Sequence, residues 1–208
     1  MLLTKQQLKA HVMASDDPER FALTHLKIEP SGRVTATNGH LAVRVMPKHK
    51  LDEGEFPEVP GLRGHEPEAD VMIPVEMARA AEKIIPTVKD MPLLSMGRLL
   101  VSDRAMIGAT DLETPHLVTE QRAAQTDFGF QFPAVETALP TGPPIATVLL
   151  KAEYLERIAK YARAFAIPSG GIKLSFYGPD LAVGFRWSDD SHDVEGALMP
   201  MRDGEATT

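Results

Sequence analysis

One pattern recurs three times along the 208-residue chain and constrains its fold more than any other feature. Each instance has a short apolar strand, then an amphipathic helix, and then two or three strands separated by turn residues. The helices begin about 70 residues apart, which is too irregular for a solenoid but suits a duplicated fold. The pattern predicts an α+β protein built from repeated β-α-β-β-β units, with antiparallel sheets and helices on one face.

The first unit opens with a short strand that leads into a helix capped by Thr4. Leu8 and Val12 have the spacing of one apolar helix face. Strands are predicted over residues 21–28 and 33–46.

The second and third units follow the same order. Residues 71–73 form a strand, Pro74 suits the first helical position, and Pro86 ends the helix near Ile85. Further strands of the second unit are predicted at 93–96, 99–102, 105–109 and 116–122. The third unit has a predicted strand at 146–150, a helix at 151–165, and strands at 172–176, 181–187 and 194–199.

The net charge of −7 is concentrated in one segment. Residues 51–70 contain seven acidic residues and one arginine, so the rest of the chain is nearly neutral. Three prolines and three glycines in the same segment predict a linker or long loop. A solvated connector is the preferred interpretation, and an acidic interaction arm is the alternative.

The sequence gives no support for catalysis. The seven histidines occur singly, the chain has no cysteine, and it contains no GxSxG, Walker or GxGxxG motif. The cluster Asp189–Asp193 is interpreted as a polar hairpin tip, with a hydrolase or metal-dependent enzyme as the distant alternative. We therefore predict no enzyme activity, no metal and no cofactor.

The apolar stretches are all too short for a membrane helix, which needs roughly 20 apolar residues. The first ten residues lack the apolar core of a signal peptide. These features predict a cytoplasmic protein without a membrane partner.

Basic side chains occur on all three predicted helices. On charge alone, solvated helix faces explain them, whereas a surface for duplex DNA requires them to face one side. The candidate DNA-binding residues are Lys5, Lys9, Arg79, Lys83, Arg157, Lys160 and Arg163.

Three strings resemble the bacterial DNA polymerase III β sliding clamp family, in the order in which that family has them. ATNGHLA at 36–42 is similar to a strand and turn of the family's middle domain. FPAVETALP at 132–140 is similar to the connector between the middle and last domains, and ALMPMR at 197–202 is similar to the C-terminal string. Leu41 stands where the family has arginine.

The resemblance implies a shortened clamp. Residues 1–140, with an acidic linker at 47–70, would form one complete clamp-like domain, and 141–208 would form half of another. The family has three complete domains per subunit, so a homo-oligomer is expected, and ring closure by the family's route is in question.

The resemblance also implies a groove that docks clamp-binding peptides of polymerase or repair proteins. Carried over by motif, its residues are Thr37, Gly39, His40, Pro140, Met199, Pro200, Met201 and Arg202. A hairpin turn and ordinary strand-end residues explain the same strings without a groove. The function implied is a DNA processivity or tracking module on double-stranded DNA, and the alternative is a monomeric peptide-binding adaptor or decoy.

Overall fold

The computed structural model describes residues 1–48, 52–120, 131–140, 142–165, 167 and 170–201. The chain forms two compact units, Met1–Leu139 and a second that begins at Pro140. None of the helices in these ranges is both long enough and apolar enough to cross a membrane.

The first unit repeats one order of elements twice. Its first half contains β1 (Leu2–Thr4), α1 (Lys5–Leu8), β2 (His25–Ile28), β3 (Val34–Thr37) and β4 (Ala42–Val45). Its second half contains β5 (Val71–Pro74), α2 (Val75–Ile84), β6 (Met96–Val101), β7 (Ala105–Thr110) and β8 (Pro115–Thr119).

Two four-stranded antiparallel sheets result, with strand orders β1-β6-β7-β8 and β4-β3-β2-β5. The strand before each helix joins the sheet of the other half. β1 pairs with β6, where Leu3 lies opposite Gly97, and β5 pairs with β2, where Ile73 lies opposite Leu26. The sequence prediction of antiparallel sheets in repeated units is confirmed, and the two halves are joined by a reciprocal exchange of strands.

The α1 helix begins where the sequence predicts. Thr4 Oγ1 accepts a hydrogen bond from the N–H of Gln7 at 3.1 Å, and Gln7 Oε1 accepts one from the N–H of Thr4 at 2.9 Å. This capping box satisfies donors that a helix N-terminus otherwise leaves unpaired. Gln7 Nε2 also donates to the carbonyl of Gly32 at 2.7 Å, which ties the helix to the β2–β3 turn.

A single apolar cluster joins the two halves of the first unit. The α2 helix contributes Met77, Ala78 and Ala81, which have helical spacing and are at most 5% exposed. Leu8 of α1 and the inner faces of both sheets complete the cluster. Packing is close enough at Gly97 that an added Cβ would lie 2.9 Å from Ile107 Cγ2.

The acidic segment is anchored to the first unit rather than being a free connector. Phe56 and Val59 are 5% and 6% exposed. His65 forms a bridge with Val101 of β6, and Arg98 Nη2 donates to Glu66 at 3.1 Å. The carboxylates line a loop whose apolar side chains are buried, so the plain solvated-connector interpretation is incomplete.

The second unit contains α3 (Ala152–Ala162), β9 (Lys173–Ser175), β10 (Val183–Ser188) and β11 (Asp193–Leu198). The strands form one antiparallel sheet in the order β11-β10-β9. Trp187 of β10 is buried, and its ring centroid lies 5.9 Å from that of Tyr161 and 5.7 Å from that of Phe165. Aromatic packing therefore holds α3 on the sheet.

Several predicted elements differ in the structure. Residues Pro18–Thr24 and Pro92–Ser95 form 3₁₀ helices, because each begins with proline at the first helical position, and only the residues that follow are extended. α1 changes into a 3₁₀ helix at Lys9, which leaves Val12 58% exposed rather than on an apolar face. Residues 146–150 form no strand.

We expect Leu99→Ala to lower the free energy of unfolding of the first unit by about 2–5 kcal/mol, because Leu99 is fully buried in the shared cluster. Leu117→Ala, on β8 of the same sheet, is the matched control; Leu117 is 39% exposed, so its loss should be about 1 kcal/mol or less. Denaturant unfolding followed by circular dichroism measures both. Equal losses would contradict a core shared by both halves.

Candidate functional site

The first candidate site is the turn that joins β3 to β4. Thr37 is buried; its Oγ1 donates to the carbonyl of Leu41 at 2.7 Å and accepts from the N–H of Gly39 at 3.1 Å. Asn38 Oδ1 accepts from the N–H groups of His40 and Leu41 at 2.9 and 3.0 Å. The side chains of Thr37 and Asn38 thus hold the backbone of the turn in one conformation.

Gly39 has a φ of +89°, in the left-handed region that favours glycine. Its neighbours are Arg20 and Leu23, since a Cβ at this position would lie 3.5 Å from each of their side chains. His40 and Leu41 are exposed. The turn therefore exposes an imidazole and an apolar side chain, and Leu41 stands where the family that the string resembles has arginine.

The second candidate set follows β11 in the second unit. Leu198 is buried, whereas Met199 is 67% exposed. The N–H of Met201 donates to the carbonyl of Leu149 at 2.8 Å, which fixes the backbone after the strand. Pro200 and Met201 are half-buried. Arg202, the last of the predicted groove residues, lies outside the described residues.

The structure thus brings Thr37, Gly39 and His40 together in one turn, and it places Met199, Pro200 and Met201 in one segment after a strand. Pro140 is exposed at the start of the second unit. A groove that combines the two sets stays a prediction.

The first-unit cations lie on adjoining elements, because α1 and the 3₁₀ helix after it both contact α2. Lys5 Nζ donates to Thr87 Oγ1 at 3.0 Å, and Arg79 Nη2 lies 3.6 Å from Asp16 Oδ1. Lys9 and Lys83 are exposed. Exposed ion pairs such as that of Arg79 contribute little to stability, so this cation is available to another anion.

The second-unit cations are paired within α3. Arg157 forms an ion pair with Glu153, and Lys160 Nζ lies 2.8 Å from Glu156 Oε1. The hydrogen bond and charge of Lys160 hold the pKa of Glu156 below its ordinary value. Arg163 is exposed. The sequence interpretation took no account of these two glutamates, although their i,i+4 spacing was a visible signal.

Asp189 caps the hairpin between β10 and β11. Its Oδ1 accepts from the N–H groups of Ser191 and His192 at 2.8 and 2.7 Å, and it lies 3.1 Å from His192 Nδ1. These bonds, that of Ser191 foremost, hold the pKa of Asp189 below its ordinary value. In the described part of the chain, no three His, Asp or Glu side chains are grouped so that they could hold a metal ion. The geometry favours the hairpin-tip interpretation over the metal-dependent alternative.

A cleft of about 680 Å³ in the first unit was not predicted. It is lined by the 3₁₀ region around Phe21, by Met77 near the start of α2, and by Val118 at the end of β8. Because these stretches are far apart in sequence, no local motif marks the cleft.

Comparisons with known proteins give matches only among solved structures; neither the family models nor the curated proteins match this sequence. The β subunit of the DNA polymerase of Streptococcus pyogenes superposes with a TM-score of 0.61 at 15% identity, over 97% of this chain and 50% of that one. A sliding clamp of Pseudomonas aeruginosa gives 0.62 at 14% identity, over 98% and 52%. The Pseudomonas aeruginosa clamp bound to griselimycin gives 0.61 at 13%, over 98% and 50%.

The chain spans about half the length of these clamps. At such identities the likeness is one of fold, and it extends over nearly all of this chain. The protein has the fold of the bacterial DNA polymerase III β sliding clamps.

Proposed function

We propose that the chain is a non-enzymatic clamp-like protein that tracks along double-stranded DNA and docks short peptides of polymerase or repair proteins. The sliding-clamp fold supports the proposal. The observation that carries it is the Thr37–Leu41 turn, because the string that resembles the family's groove occupies a rigid, exposed turn at a strand end. The proposal includes no catalytic step and no cofactor.

The residues proposed to bind the peptide are those of this turn, together with Pro140 and the string Met199–Arg202. Methionine side chains adapt to irregular apolar ligands, and Leu41 is a further exposed apolar side chain among the candidate strings. A peptide with a glutamine and an apolar C-terminal pair fits such a lining. Micromolar affinity would correspond to about −8 kcal/mol.

Met201→Ala should weaken peptide binding about tenfold, since a tenfold loss is about 1.4 kcal/mol and matches the removal of part of an apolar contact. The main-chain bond from Met201 to Leu149 does not depend on the side chain, so the segment should keep its position. Met91→Ala is the control, because Met91 is 48% exposed in the first unit, outside all three strings. Calorimetry that gives equal affinities for the wild type and Met201→Ala would exclude Met201 from the groove.

DNA tracking rests on the helix cations. A ring around duplex DNA needs little direct affinity for phosphate, so a net charge of −7 is compatible with topological binding. The ion pairs on α3 are exposed, and exposed pairs of this kind contribute little to stability. Phosphate groups can therefore replace Glu153 and Glu156 at low cost.

We expect the double variant Arg157→Gln, Lys160→Gln to bind duplex DNA more weakly at low salt. Loss of two phosphate contacts should reduce the slope of log affinity against log salt by about 1.8. The opposite double variant, Glu153→Gln, Glu156→Gln, should strengthen binding because it releases the same two cations. Fluorescence anisotropy with a labelled duplex measures both, and affinities that do not move in opposite directions count against a DNA role for α3.

The alternative function is a monomeric peptide-binding adaptor or decoy that does not encircle DNA. The internal pairing of the α3 cations favours it, because these side chains are already neutralised in the free protein. Retention on circular and linear DNA separates the two functions. A tracking protein stays on a closed circle and leaves a linear duplex through its ends, whereas the adaptor is retained on neither and still binds peptide.

A further inference from the structure

The second unit exposes apolar positions that the first unit buries. The third and fourth residues of α2, Met77 and Ala78, are 5% and 0% exposed. The third and fourth residues of α3, Tyr154 and Leu155, are 42% and 38% exposed. The two helices hold the same place in the repeated pattern, yet among the described residues this face is covered in α2 and partly exposed in α3.

The sheet under α3 shows the same exposure at its edge. Leu174 of β9 lies opposite Phe185 of β10, and Phe185 shares a sheet face with Trp187 because side chains alternate along a strand. Trp187 is buried beneath the helix, whereas Leu174 is 41% exposed. The apolar face therefore continues outward to the β9 edge and is uncovered there.

Two backbone segments in the second unit lack the pairing that their counterparts have. Within the described ranges β9 pairs with β10 alone, whereas β2 and β6, the corresponding strands of the first unit, each have two neighbours. The residues before α1 and before α2 are the strands β1 and β5, which join the other half's sheet. Residues 146–150 stand in the same place before α3 but form no strand; the carbonyl of Leu149 accepts a hydrogen bond from the N–H of Met201 at 2.8 Å, which the exchange proposed below would release.

We propose that a second copy of this chain covers this face through an exchange of residues 146–150. Each copy's segment would pair antiparallel with β9 of the other copy, and the two α3 helices would pack together as α1 and α2 do. One twofold axis satisfies both free edges at once, because each half supplies the strand that the other lacks. The result is a complete clamp-type domain made from two chains, an interaction that does not depend on DNA or peptide binding.

The distribution of exposed apolar side chains supports this partner. Of the seventeen large apolar residues exposed in the described part of the chain, ten lie in the second unit. Contiguous apolar surface of several hundred Å² on a soluble protein marks an interaction site. The second unit contains the same repeated element as each half of the first unit. A second copy could therefore pair with it through the kind of strand exchange that joins β1 to β6 and β5 to β2.

Light scattering of the purified chain tests the proposal. The wild type should have twice the 22.7 kDa mass of one chain, or a higher even multiple, and Leu155→Asp or Leu174→Asp should halve the measured mass. Both side chains are already partly exposed, so a charge there should leave the isolated chain folded. Leu117→Asp is the matched control, since Leu117 is 39% exposed in the first unit, and it should keep the wild-type mass.

Hydrogen exchange locates the interface. The backbone amides of 146–150 and 173–176 should be protected from exchange in the wild type and exposed in the Leu155→Asp and Leu174→Asp variants. The amides of 183–188 should exchange at the same rate in the wild type and both variants, which would show that the sheet stays folded. A monomeric wild type would overturn the proposal, and protection of the same peptides in that monomer would assign the face to another segment of the chain. The proposal would also be overturned if the wild type were an oligomer and neither substitution changed its mass or its hydrogen exchange.

Discussion

The exchange of β1 and β5 between the halves of the first unit is the constraint on which the rest of its structure depends. Each half contributes three of its four strands to its own sheet, and that sheet has four strands only because the other half supplies the fourth. The side chains of both helices and both sheets then meet in one cluster. Neither half has a complete core alone, so the positions of α1, α2 and the β3–β4 turn depend on long-range pairing that brings Leu3 opposite Gly97.

Local signals in the sequence identified much of this architecture. Thr4 could be recognised as a cap from its residue type, and Pro86 placed the end of α2 correctly, because both effects act within one helical turn. The 3₁₀ helices at 18–24 and 92–95 were not predicted, because their apolar residues from Phe21 and from Leu93 onward were assigned to the strands that follow. The strand exchange itself could not be read from the chain, because nothing local in β1 or β5 specifies its partner.

The candidate site likewise has one part that the sequence indicated and another part that it did not. The ATNGHLA string is similar to a strand and turn, and the structure has a turn there, with Gly39 at a positive φ and the backbone held by Thr37 and Asn38. The electrostatic surroundings of the cations were harder to predict. Side-chain pairing of Arg157 with Glu153 follows from helical spacing, but contact between Arg79 and Asp16 depends on the packing of separate elements. The cleft beside Phe21 also depends on the packing of separate elements, so the sequence does not indicate it.

The second unit has a smaller core than its length requires. In its described residues the buried apolar side chains are Ala162, Val183, Trp187 and Leu198, against twenty-three in the first unit. Fixing the backbone of each residue costs about 1–2 kcal/mol, and small cores offset this cost least well. Any partner that covers the open face therefore stabilises the sheet β9–β11 itself. A ligand that binds only the folded unit stabilises it by about 2.7 kcal/mol at a hundred times its Kd. Because Met199 and Met201 follow β11 directly, the peptide proposed to dock at these methionines would add to the stabilisation of the same sheet.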